Sequence, residues 1–284
     1  MNKDARKAIV ISASSDIGLA LSNRWLGRGW TVAGTSRTES LGVQALRDAG
    51  ALLVDCDLSR RSSVEAACET LCVKAAGWDV LVLCPGTQEP VGPFEQCDFD
   101  AWEDSLRVNF AAQLRVVHHL LPARSRASAA GPCVLFFAGG GTNSATVNYS
   151  AYTVSKIALI KMCELLDAEI RDARFVTVGP GWVRTKIHQA TLAARARAGA
   201  TYEETLQRLG DGRFTSMQDV VASCEWVIEA PRDVVGGRNF STVNDAFGSP
   251  DLDAALRLDA NMYKLRRSGN DWTPKLHGSK GSSL

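Results

Sequence analysis

The chain has 284 residues, 45% of them hydrophobic and 22% charged, with a formal net charge of +1. That balance suits one large α/β domain and offers no attraction to a nucleic-acid backbone or an anionic membrane surface, so neither is expected as a partner. No apolar run reaches membrane-span length, and eight cysteines without a Cys-x-x-Cys pair or finger-spaced histidines predict a reducing, cytoplasmic setting and no metal.

Ala8-Ile9-Val10-Ile11 is a short, wholly apolar run, the pattern of a buried parallel strand. It opens into Ser12-Ala13-Ser14-Ser15-Asp16-Ile17-Gly18 and an amphipathic helix carrying Leu19, Leu21, Trp25 and Leu26. A strand, a turn of small residues and a helix can hold a dinucleotide pyrophosphate, because the free N–H groups of the helix N-terminus point at the anion. Only Gly18 remains of a three-glycine spacing, with Ser12 and Asp16 where close backbone approach favours glycine. The plainer alternative is a βα turn capped by Ser14 or Ser15.

A second strand at residues 31–35 ends at Ser36-Arg37, where an adenosine ribose would lie. No acid is present to take a 2′-hydroxyl, and Arg37 suits a 2′-phosphate, so NADP(H) is expected over NAD(H). A solvated surface arginine is the alternative. After a helix through Leu46 and a strand at 51–54, Asp57 and Leu58 are placed to meet the adenine edge, unless Asp57 caps a helix starting at Ser59. A strand at 80–83 ends at Cys84-Pro85-Gly86. Strand alternating with helix predicts a doubly wound parallel sheet with helices on both faces.

Residues 99–121 read as one long helix, with Trp102, Leu106, Phe110, Leu114, Val117 and Leu121 on a single stripe. Asn109 lies inside it, where an amide is unfavourable unless it faces solvent or binds something. A strand at 133–137 leads into Gly139-Gly140-Gly141-Thr142-Asn143-Ser144, and then Tyr152 and Lys156 fall one helical turn apart. A free phenol titrates near 10, and a fixed ammonium beside it lowers that value and makes it a usable proton donor and acceptor. Tyr149 lacks such a partner, because residue 153 is Thr. A strand at 175–178 runs into Gly179-Pro180-Gly181-Trp182-Val183-Arg184-Thr185, and a last strand is expected near 239–243.

In this order and spacing, Gly86, Asn109, Tyr152-x-x-x-Lys156 and the Pro180 to Thr185 segment make residues 6–245 resemble a short-chain dehydrogenase/reductase. The resemblance implies one Rossmann-type domain over 1–267, a helical substrate lid over about 186–216, and a homodimer or homotetramer. It implies hydride transfer between nicotinamide and a carbonyl or secondary alcohol. Tyr152 would be the proton donor or acceptor, Lys156 would lower its pKa and bind the nicotinamide ribose, and Asn109 would hold a water in the proton relay. Pro180, Gly181, Val183 and Thr185 would border the nicotinamide. Ser12, Ser14, Ser15, Asp16, Ile17, Gly18, Ser36, Arg37, Asp57, Leu58, Pro85 and Gly86 would hold the rest of the cofactor.

The chain departs from the family's pattern at the serine thirteen positions before the tyrosine, where it has Gly139. Thr142, Asn143 or Ser144 could supply the replacement donor, with Thr142 and Ser144 ranked equally. The loop after the fourth strand, Leu83-Cys84-Pro85-Gly86, keeps only its glycine. A narrower likeness, in Gly139 to Thr142, Gly237 to Ser241 and Met262 to Arg267, is to members associated with surface-polysaccharide and nucleotide-sugar pathways. Arg184, Lys186, Arg195, Arg197, Arg208 and Arg213 make the lid basic, which suits a phosphate-bearing substrate or simply a solvated face. His188 borders this region, and 268–284 reads as a flexible tail. The same residues admit two other readings: a nicotinamide-dependent lyase, dehydratase or epimerase on a sugar nucleotide, and a non-catalytic dinucleotide-binding regulator.

Overall fold

The computed structural model describes residues 6–127 and 130–268. Seven strands, β1 (Lys7–Ile11), β2 (Thr31–Ser36), β3 (Leu52–Asp55), β4 (Val80–Leu83), β5 (Cys133–Phe137), β6 (Arg174–Gly179) and β7 (Asn239–Ser241), form one sheet in the order β3-β2-β1-β4-β5-β6-β7. All six pairings are parallel. The chain winds outward from β1 to β3, then restarts at β4 and winds the other way. The direction reverses between β1 and β4, and a crevice opens there at the strands' C-terminal ends.

The apolar runs are continuous because both faces are covered. Ala8 and Val10 pack with α1 (Asp16–Gly27), α2 (Leu41–Asp48), α9 (Met217–Glu229), α10 (Arg232–Val235) and α11 (Pro250–Leu258). Ile9 and Ile11 point the other way, into α3 (Arg61–Lys74), α5 (Ala112–Leu120) and α6 (Ser150–Glu169). This period of two within a fully buried strand is what a doubly wound sheet requires.

The long helix predicted over 99–121 is interrupted. It runs as α4 (Phe99–Leu106), a π-helical turn (Arg107–Ala111) and α5, and the buried Asn109 sits in that turn. The wide turn turns the Asn109 amide onto Thr87, accepting its N–H at 2.8 Å and donating to its carbonyl at 2.8 Å. Two polar backbone groups of the loop after β4 are thereby satisfied by one side chain.

Between β6 and α9 the segment expected to be a lid folds as a 3-10 turn (Lys186–His188), α7 (Gln189–Ala194), a second 3-10 turn (Arg195–Ala198) and α8 (Ala200–Asp211). α7 stops at Ala194 because Arg195 turns to φ 50°, and the second 3-10 turn ends at Gly199, at φ 60°. That break lets Ala194 and Ala198 pack on Val91 and Tyr149 in a small core of their own. The C-terminal end is anchored: Asn239 N–H donates to Tyr263 O at 2.8 Å, and Arg266 pairs with Glu164 on α6. Apart from Ser268, the expected flexible tail lies outside the described residues.

Candidate active site

The crevice at the strand ends is a cleft of about 1410 Å³. That exceeds what a single drug-sized ligand needs, leaving room for a dinucleotide and a second molecule. Of the residues expected at the cofactor, Ser12, Ser14, Ser15, Asp16, Ile17, Arg37, Asp57, Leu58, Pro85, Gly86, Pro180, Gly181, Val183 and Thr185 line it, as do Tyr152 and Lys156.

The turn after β1 keeps a glycine-like course without the glycines. Ser12 adopts φ 59°, its N–H held by Thr35 Oγ1 at 3.0 Å. Ser15 caps α1 by accepting the Gly18 N–H at 3.0 Å, which leaves the Asp16 and Ile17 N–H groups of the first helical turn for an anion. The Asp16 carboxylate is directed onto the Lys186 N–H at 2.8 Å, with the Lys186 ammonium 3.9 Å away. Gly18 itself does not line the cleft; a Cβ there would lie 2.6 Å from Ser12 O, so its role is packing within the turn.

Ser36 also lies off the cleft, since β2 runs one residue longer than expected and buries it. Arg37, the next residue, is exposed at the cleft edge. Asp57 accepts from Ser59 N at 3.0 Å and Ser59 Oγ at 2.8 Å, and these bonds, with Arg37 and Arg60 nearby, hold its carboxyl below the usual range. It shapes the turn before α3, which starts at Arg61, two residues after the helix start expected at Ser59, so Asp57 does not cap that helix.

On α6, Lys156 is 2% exposed and its ammonium donates to Phe137 O at 3.1 Å and Pro85 O at 3.3 Å. Of three N–H donors, one remains for a ligand. Its nitrogen is 5.8 Å from the centroid of the Tyr152 ring. Burial pushes the lysine down to about 8 and the phenol up to about 12. The tyrosine shift is opposite to the one expected from the cation, because burial in low-dielectric surroundings penalises the phenolate.

The loop after β5 separates the expected donors. Thr142 lines the cleft, whereas Ser144 is exposed and does not. Gly139 faces Tyr152 directly, so that a Cβ at 139 would lie 2.8 Å from the phenol oxygen. Asn109 is 0% exposed behind the loop, and its carbonyl already accepts from Gln113 Nε2 at 2.7 Å. Among the lid cations only Lys186 lines the cleft; Arg184, Arg195, Arg197, Arg208 and Arg213 are exposed elsewhere. Arg208 lies over Trp182, and Trp182 stacks on His188 with ring centroids 4.0 Å apart. His188 bonds Val183 O at 2.8 Å, and burial, the larger influence, lowers its pKa.

Sequence reasoning missed a chain of hydrogen-bonded side chains at the cleft wall. Tyr149 OH and Thr191 Oγ1 are 2.7 Å apart, and Thr191 Oγ1 is 3.1 Å from Gln88 Oε1. Tyr149 is 2% exposed, so its O–H must donate to Thr191, which then donates to the Gln88 carbonyl. Gln88 lines the cleft, and its NH2 group has no hydrogen-bond partner among the described residues. Tyr149 has no lysine one turn on, and the signal that marks it is burial, which one sequence does not display.

Among the described residues no helix is long and apolar enough to cross a membrane, and no group of three His, Cys, Asp or Glu side chains could hold a metal ion. The family model described as short chain dehydrogenase matches residues 6–196. The chain is 23% identical over 241 residues to D-threitol dehydrogenase of Mycolicibacterium smegmatis, covering 82% of this chain and 90% of that one. It is 27% identical over 217 residues to the 3-oxoacyl-(acyl-carrier-protein) reductase of Escherichia coli, covering 74% and 86%. An actinorhodin polyketide ketoreductase solved with NADPH superposes with a TM-score of 0.72 at 22% identity, covering 84% of this chain and 95% of that one.

Proposed function

From the premise that this chain belongs to the short-chain dehydrogenase family and is an oxidoreductase, we propose that it transfers hydride between NADP(H) and a carbonyl or secondary alcohol, with Tyr152 as the proton donor and acceptor. The observation that carries this reading is Lys156, buried and fixed by two main-chain carbonyls beside the Tyr152 phenol on the cleft floor. A buried ammonium without a carboxylate partner is costly, and a proton-transfer site is a reason to keep one.

The residues fit the cofactor. The Asp16 and Ile17 N–H groups suit its pyrophosphate, Arg37 a 2′-phosphate, and the remaining Lys156 proton a ribose hydroxyl. Gly181, at φ 75°, and Thr185 border the nicotinamide end. When bound, the nicotinamide supplies or accepts the hydride. Tyr152 enters as the neutral phenol, which its burial favours, and gives its proton to the substrate oxygen as negative charge develops there. The Lys156 ammonium then stabilises the phenolate. Asn109 acts through the loop after β4, by fixing Thr87, instead of reaching the cleft. The segment at 186–216 is proposed to be the lid that excludes water.

For the substrate we infer a multiply oxygenated carbonyl of the keto-sugar kind. The Gln88 amide and Thr142 offer polar groups along the wall, and the likeness to a D-threitol dehydrogenase supports this class. With one lid cation at the cleft, a phosphate on the substrate has weaker support than composition suggested. Phe99, Val154 and Leu165, 55%, 50% and 46% exposed on α4 and α6, are proposed to pack in a homodimer or homotetramer. Eight free cysteines suit a reducing, cytoplasmic setting.

The test is NADPH oxidation with erythrulose and related ketones, beside fluorescence titration with NADPH and NADH. Tyr152→Phe should lower kcat by on the order of 10²- to 10⁴-fold while leaving NADPH affinity intact. Full turnover in that variant would remove the proposed role of the phenol.

A further inference from the structure

The side chain of Tyr152 and the α-carbon of Gly139 share one small space. A Cβ at position 139 would lie 2.7 Å from Tyr152 Cε1, 2.8 Å from its phenol oxygen and 2.9 Å from Cζ. Carbon atoms in contact normally stay about 3.5–4.0 Å apart. A Cβ at the neighbouring Gly140 would meet only Thr146 Oγ1, at 3.7 Å, and one at Gly141 would meet Thr153 Cγ2, so Gly139 is the glycine of this loop that faces the phenol.

We propose that Gly139 is a positioning residue: by lacking a side chain it lets the Tyr152 phenol lie against the loop after β5, in the volume that any larger residue there would fill. This rests on the proposed role of Tyr152 in proton transfer. The backbone of α6 is not what would yield to a side chain at 139. Ser155 Oγ donates to Tyr152 O at 2.7 Å, Thr153 N–H donates to Tyr149 O at 2.9 Å, and Tyr149 is locked onto Thr191. The far end of the Tyr152 ring is free to swing, and it would swing into the open cleft by roughly 1 Å, the shortfall from normal contact. Such a shift costs little in folding, but reacting groups misplaced by about 1 Å lose on the order of 10²-fold in rate.

A consequence follows for the position itself. A serine at 139 would add a hydrogen-bond donor, the change expected to help if the site merely lacked one. Because its Cβ would displace the phenol first, Gly139→Ser should harm the reaction, and no less than Gly139→Ala.

The experiment compares crystal structures, melting temperatures, NADPH affinities and erythrulose kinetics of the full-length wild type, Gly139→Ala and Gly139→Ser. The expected result is an unchanged melting temperature and NADPH affinity, a KM within about 3-fold, and a kcat lowered about 10²-fold in both variants. The phenol oxygen should be displaced by about 1 Å in both crystal structures. A ring that keeps its place in either variant, or a Gly139→Ser enzyme as fast as the wild type, overturns the proposal. If the wild type reduces no ketone, it is the enzymatic reading that fails, and the ring position in the two crystal structures still decides the packing claim.

Discussion

After β1, Ser12 and Asp16 stand where glycines are expected, and the turn nevertheless keeps its course, with Ser12 at φ 59° and the Asp16 carboxylate directed onto Lys186. After β5, Gly139 stands where a serine is expected, and Tyr152 occupies the space that it leaves. In the proposed reading the first loop holds the cofactor through backbone N–H groups, which survive a change of side chain as long as the chain can hold the dihedral angles. The second, in that reading, acts through side chains packed against one another, so that one Cβ would alter the position of the phenol. Departures of similar size therefore weigh very differently in the two loops.

The largest effect expected from breaking this contrast is at Lys156, the side chain that ties the end of β5 to the loop after β4. Lys156→Met should lower kcat by on the order of 10²-fold or more. It should also change the pH dependence of stability. The folded amine titrates near 8 and the ordinary lysine value is 10.5, so between pH 8 and 10 the unfolded chain holds a proton that the folded chain has released. Wild-type stability relative to the Met variant should thus rise by about 2 to 3 kcal/mol over that range. Tyr152 does not disturb the comparison, because its titration moves upward, to about 12. Denaturant curves at pH 8, 9 and 10 that keep a constant difference would refute the buried, discharged lysine.

On the cofactor side, Arg37→Glu should weaken NADPH binding by roughly 10- to 100-fold, the worth of a charge-assisted hydrogen bond, and should favour NADH. Equal affinity of the wild type for both cofactors would leave Arg37 as a surface residue. The smallest effect should come from Ser12→Gly. Relief of the strain at φ 59° and the extra entropy of an unfolded glycine offset each other, so stability should move by no more than about 1 kcal/mol. NADPH affinity should stay within about 2-fold if the turn acts through its backbone alone. A large loss of affinity would mean that the Ser12 hydroxyl itself takes part.

Sequence alone determined the alternation of strand and helix, the parallel sheet, and the pairing of Tyr152 with Lys156, because each rests on short-range periodicity: two in a strand, and three to four in a helix. Most of the residues it led one to expect at a cofactor lie on turns directly after strands, and these turns line the cleft. Tertiary structure decided what depends on distant neighbours. Asn109 faces Thr87 instead of the cleft because a π-helical turn rotates it there. Ser144 falls outside the cleft while Thr142 lies within it. Tyr149, Thr191 and Gln88 meet from three separate segments, and none of the lid arginines lines the cavity that their composition suggested they would line. The direction of the Tyr152 shift belongs to the same group, since burial is a property of packing, and spacing along the chain carries no information about dielectric surroundings.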